Sequence, residues 1–125
     1  MDRQEFFNRA LFGVRAQGRK ASGEDDRCAY RIIIDGKMCK CGIGHNIPDE
    51  LYDPDWDVNN IRIKGLLSYK SPFPDVAYYS EDANFLVNLQ QAHDRAHQDR
   101  FFPEFESYME ALATKYDLVY IGEPK

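Results

Sequence analysis

The chain has 125 residues, 43% hydrophobic, 14% aromatic and 30% charged, and its 16 basic and 21 acidic side chains give a net charge of −5. That length suits a single domain, residues 1–125, which buries roughly two-thirds of its unfolded surface and needs no disulfide staples. The balance excludes wholesale disorder and the broad basic face of a nucleic-acid binder, and no apolar run approaches the roughly 18 residues of a membrane span.

The opening Met1-Asp2-Arg3-Gln4-Glu5 lacks the basic start and apolar block of a secretory signal. Three cysteines, an odd count, fit a reducing compartment. The expectation is a soluble protein of the cytoplasm.

Residues 3–17 are predicted to form a helix, with Asp2 as its cap, Phe7, Ala10, Leu11 and Val14 at helical spacing, and Gly18 as its stop. A polar loop follows. Cys28 to Ile34 reads as a strand, and Asp35-Gly36 is the two-residue signature of a hairpin, so residues 37–43 should return as its partner. A two-residue turn sets the register: Ile34 opposite Lys37, Ile32 opposite Cys39, Tyr30 opposite Cys41 and Cys28 opposite Ile43. All three cysteines then share the apolar face with Tyr30, Ile32 and Ile34, while Ile33 and Met38 lie on the other.

Gly42 and Gly44 suggest a bulge or the end of pairing, and Pro48 suits the start of a short helix through Tyr52. Residues 53–58 form an acidic loop. Residues 59–69 read as a helix capped by Asn60, with strand-like alternation at Ile61-Arg62-Ile63 as the competing pattern. After a proline-punctuated loop, Ser80 caps a helix to about Gln98, whose stripe is Phe85, Leu86, Leu89, Ala92, His93 and Ala96. Pro103 opens another helix to Tyr116, and residues 118–121 could add a third strand at the hairpin edge. The fold class is α+β: a β-hairpin, extended to a three-stranded antiparallel sheet if that last segment pairs, covered by helices. The expected core holds Phe7, Leu11, Val14, Tyr30, Ile32, Ile34, Cys41, Leu86, Leu89, His93, Met109 and Leu112.

Four segments carry a resemblance when taken in order: Cys28-Ala29-Tyr30-Arg31, Lys40-Cys41-Gly42-Ile43-Gly44, Ile47-Pro48-Asp49-Glu50-Leu51-Tyr52 and Leu89-Gln90-Gln91-Ala92-His93-Asp94. Together they resemble a group of small phage and prophage proteins with no assigned activity, over about residues 4 to 98. The chain departs from that pattern in a longer hairpin, in the extra Cys39 and in His45-Asn46. The resemblance implies a phage or prophage origin and draws attention to Cys28, Cys41, His93 and Asp94.

Several chemistries suit these residue types. Cys28, Cys39, Cys41 and His45 offer zinc ligands, but without the paired-cysteine knuckle of a zinc module; Cys28, Cys41 and His93 are the set that uses matched segments only. Buried cysteines acting as small apolar side chains explain the same pattern. A cysteine nucleophile would need His93 beside it. Asp94 is turned about 100° from His93 along a helix, so Gln90, one turn earlier, is the better candidate to orient the ring. His93 and His97 share helical spacing, yet Asp94 is too short to replace the glutamate of a metalloprotease motif. Asp53, Asp55 and Asp57 resemble the start of a calcium loop, but Val58 and Lys64 stand where glycine and glutamate are required.

The favoured reading is a non-enzymatic protein that binds and modulates a host protein. Its expected contact residues are exposed: Trp56 with Asp53, Asp55 and Asp57, and the pair Tyr78 and Tyr79; a solvated loop with Trp56 tucked into the core edge is the equal alternative for the first group. The alternatives are a small zinc module on Cys28, Cys41 and His93, or an enzyme using Cys28 or Cys41 with His93.

Overall fold

A computed structural model describes residues 1–23, 27–68 and 71–122. Helix α1 spans Arg3–Gln17, with the Asp2 carboxylate accepting from the Glu5 N–H and Gly18 closing it at φ 79°. Its buried face is Phe7, Ala10, Leu11 and Val14.

Strands β1 (Arg31–Ile34) and β2 (Lys37–Lys40) form an antiparallel hairpin. Asp35 (φ 51°) and Gly36 (φ 78°) both take the left-handed conformation that a tight hairpin turn of this hand requires. The pairs Ile34–Lys37 and Ile32–Cys39 form as the turn dictates. The expected pairs Tyr30–Cys41 and Cys28–Ile43 do not form, because the ladder stops at Arg31–Lys40. The Tyr30 N–H, which would have continued the ladder, goes instead to the Asp57 carboxylate at 2.8 Å, and the outward-facing Arg31 N–H joins it there at 3.2 Å. Cys28 makes an isolated bridge with Ser22. On the other side the chain turns back at Gly44, whose backbone lies so close to the Tyr30 carbonyl that a Cβ would sit 2.1 Å from its oxygen. Cys39 and Cys41 face the core; Ile33 and Met38 face outward at 66% and 45% exposure. Ile32 and Ile34, expected in the core, are half-buried because they lie toward the hairpin tip.

Short 3-10 turns at Gly44–Asn46 and Asp49–Leu51 lead to α2 (Asp55–Val58) and α3 (Ile63–Ser68). Asn60 does not cap α3; it takes φ 52°, and α3 begins three residues later. Tyr69, at the end of the expected helix, lies outside the described residues. Helix α4 (Glu81–Asp94) starts where Ser80 Oγ accepts from the Ala83 N–H. It ends before Gln98, because the His97 N–H leaves the helical ladder for Glu104 Oε1 at 2.7 Å. Helix α5 (Phe101–Tyr116) packs on α4 and carries Pro103 in its first turn, where no N–H is needed.

Among the described residues the sheet has two strands. Residues 118–121 do not join it. Val119 exchanges two hydrogen bonds with the Gln4 side chain, at 2.8 and 3.0 Å, and Arg15 donates to the Ile121 carbonyl, so this segment docks on α1 instead. The core is one apolar cluster in which Phe7, Leu11, Ile43, Leu86, Leu89, Phe105 and Met109 are sealed from solvent. No helix among the described residues is long and apolar enough to cross a membrane.

Candidate functional site

A cleft of about 480 Å³ opens between the root of the hairpin, residues 56–64 and the outer side of α4. Cys28, Tyr30, Cys41, Asp57 and Asp94 stand on its walls. The fold thus gathers Cys28, Cys41, Trp56, Asp57 and Asp94, of the residues marked by the sequence, around one opening, and the state of each polar group decides what the opening can do.

His93 is buried on α4, and both ring nitrogens are engaged. Nε2 accepts from the Ala21 N–H at 3.0 Å. A backbone N–H only donates, so this contact assigns the proton to Nδ1. Nδ1–H then donates to Asp94 Oδ1 at 2.8 Å. Asp94 therefore orients the ring of its own neighbour, against the expectation that helical geometry would prevent it. It is the last residue of α4, and its side chain folds back where the helix ends. Gln90, expected in that role, is used elsewhere: its Oε1 accepts from the Ile63 N–H at 3.2 Å and its Nε2 donates to Tyr30 Oη at 3.3 Å.

The cysteines separate by environment. Cys28 is half-buried at the cleft, with Sγ 3.9 Å from the Asp94 carbonyl. Ligand atoms of Cys28, His93 and Asp94 lie within 4.8 Å of one another, the one such group found among the described residues. Cys41 borders the same cleft outside that group. Its Sγ accepts from the Gly44 N–H at 3.3 Å, and burial, aided by the nearby Asp94 charge, pushes its thiol pKa well up. Cys39 is buried beside the Lys37 carbonyl, and His45 sits against α1, donating from Nε2 to Gln17 Oε1 at 2.9 Å. The set Cys28, Cys39, Cys41 and His45 is not brought together.

The acidic loop is a structural clasp. Trp56, expected at the surface, is 6% exposed, with its ring edge-on to Tyr30 and Tyr52 at centroid distances of 6.4 and 6.0 Å. Asp57, expected as a contact residue, holds the Tyr30 and Arg31 N–H groups and accepts from Tyr52 Oη. Burial and the Asp57 contact push the Tyr52 pKa up. Asp53 turns onto the Asp55 N–H at 2.9 Å, which leaves Asp55 as the exposed carboxylate of the three.

Tyr78 and Tyr79 do lie on the surface, Tyr79 at 91% exposure. Their rings meet edge to face at 4.7 Å, and Lys64 Nζ sits 4.1 Å from the Tyr78 centroid while donating to the Tyr78 carbonyl at 2.7 Å. Lys64 also lines the cleft, so the aromatic pair continues its rim. Arg62 and Arg95 on that rim were not anticipated from the sequence. They stand far apart along the chain, in no basic run, and only the fold brings them to one opening.

No protein family, no curated protein and no solved structure matches this chain.

Proposed function

We propose that this is a non-enzymatic binding protein of phage or prophage type, which acts in the host cytoplasm by docking on a host protein. The observation that carries this reading is the double engagement of His93. A nucleophilic cysteine needs an imidazole nitrogen free to take its proton, and Nε2 is occupied by the Ala21 N–H. The surface offers contact chemistry instead: an aromatic pair pre-ordered by Lys64 beside an open cleft. Tyrosines of this kind supply large contact area at low entropic cost. The origin and the host role rest on the resemblance of the four segments.

The test is co-expression in a bacterial host, with the size of the complex read from cleared lysate after crosslinking. Wild type and Cys28→Ser should give the same larger species, and the Tyr78→Ala/Tyr79→Ala double variant should lose it. A complex that survives the tyrosine changes but disappears with Cys28→Ser would overturn the reading.

A second reading, a zinc site, is favoured by the closeness of Cys28, His93 and Asp94. Zinc on Nδ1 would displace the proton shared with Asp94, and Nε2 would then carry a hydrogen pointed at the Ala21 N–H. Metal analysis of untagged protein decides between the two. One zinc per chain, lost in Cys28→Ser, would replace the first reading.

A further inference from the structure

We propose that the cleft receives an acidic segment of the partner protein, a stretch of clustered carboxylates around one apolar side chain; this rests on the binding reading above. The chain is net acidic, with 21 carboxylate side chains against 16 basic ones. Yet Arg62 and Arg95, both exposed on the cleft, make no hydrogen bond or ion pair through their side chains among the described residues. The side-chain amides of Asn60 and Gln91, on the same lining, are also without a partner there.

The carboxylates on the cleft are in the opposite state. Asp57 is spent on the Tyr30 and Arg31 N–H groups and on Tyr52, and Asp94 on His93. The groups left with bonding capacity are therefore cations and amide donors, and they approach from two separate segments of the chain. Arginines placed this way take carboxylates by charge-assisted, often bidentate, hydrogen bonds. The net charge of −5 disfavours an acidic segment on the chain in general, so cations with open bonding capacity are what would hold it.

The lining also chooses among anions. Ile61, Ile63 and Val87 give it an apolar part. A nucleotide base inside the cleft would need an aromatic face to stack on, but Trp56 and Tyr30 are buried and meet each other edge-on, and Tyr78 and Tyr79, outside the lining, are turned edge to face on each other. The first N–H of α3, Ile63, is already taken by Gln90. A volume of about 480 Å³ accommodates a few side chains of a docked segment.

Trp56 is the only tryptophan and lies on the cleft wall, so its fluorescence reports occupancy. The probe is a synthetic peptide of glutamates flanking one phenylalanine, titrated beside its lysine counterpart, inorganic phosphate and adenosine monophosphate. Saturable binding of the glutamate peptide alone is expected, weakening with added salt. Arg62→Glu/Arg95→Glu should weaken it at least about tenfold, the loss of one or two charge-assisted contacts. Both side chains are exposed, and circular dichroism checks that the variant is folded. No saturable response to the glutamate peptide, or equal binding by the charge-reversed variant, overturns the inference. Tighter binding of phosphate or the nucleotide than of the peptide also overturns it, in favour of a small-anion site. If the glutamate peptide fails while the tyrosine variant still loses its complex, this inference falls alone; if both tests fail, the binding reading falls with it.

Discussion

His45 packs its ring onto the one position of α1 that has no side chain. A Cβ on Gly13 would lie 2.5 Å from His45 Nδ1. Gly13→Ala should therefore destabilise the protein by about 1–3 kcal/mol through overpacking, although alanine in a helix is otherwise worth about 1 kcal/mol more than glycine. Urea unfolding of the variant checks the sign, and a net stabilisation would refute the contact. The same burial, with Lys40 and then His93 as further causes, lowers the His45 pKa from 6.5 to about 4. The folded state thus holds His45 neutral where the unfolded chain takes up a proton. Its contribution to stability is complete above pH 6.5 and is lost as the pH falls toward 4. His45→Gln should flatten that part of the stability profile, measured by unfolding at stepped pH. None of this was legible in the sequence, where His45 stood out as a candidate metal ligand. Its partners Gln17 and Gly13 come from a helix read only for its apolar stripe. The state of His93 was hidden for a related reason. Its burial followed from the stripe of α4, but its tautomer is fixed by the Ala21 N–H, in a loop without periodicity.

Elements whose determinants are local were readable. Asp35-Gly36 gave the hairpin and its register, Asp2 and Gly18 bounded α1, and Ser80 started α4. Elements that depend on distant partners were not. The hairpin ends at Arg31 because Asp57, well downstream, takes the Tyr30 N–H that would have paired with Cys41, together with the outward-facing Arg31 N–H. Asp57→Ala should cost about 2–4 kcal/mol, since it removes a charged acceptor from two half-buried donors. Chemical denaturation gives the magnitude, and amide exchange at Tyr30 and Arg31 should quicken before that at Ile32. A cost below about 0.5 kcal/mol, the level of an ordinary surface change, would show that the clasp is dispensable. The segment at 118–121 has strand-like residues, and sequence pattern alone cannot register that the Gln4 amide supplies both a donor and an acceptor for Val119.

At the scale of the molecule, the three thiols report different things. Cys28 is half-buried at the cleft, whereas Cys39 and Cys41 are sealed in the fold. Alkylation followed by intact-mass measurement should label one site quickly and the other two only as denaturant unfolds the chain; equal rates at all three would contradict the burial. The sequence placed these cysteines on one side of a hairpin but could not say which of them meets solvent. That depends on the ladder stopping short and sending Cys28 to Ser22. The cleft was illegible for the same reason, being assembled from the hairpin root, residues 56–64 and α4. The docking of residues 118–121 on α1 has a further consequence, in time. Gln4 waits for Val119 across a separation of 115 residues. At a synthesis rate of about 5–20 residues per second, that is an interval on the order of ten seconds. For most of it Arg15 has no Glu106 to pair with and Gln4 no backbone to hold, so the outer side of the first helix made is finished last, after β2, the turn at Gly44–Asn46 and α4 have already reached its apolar face.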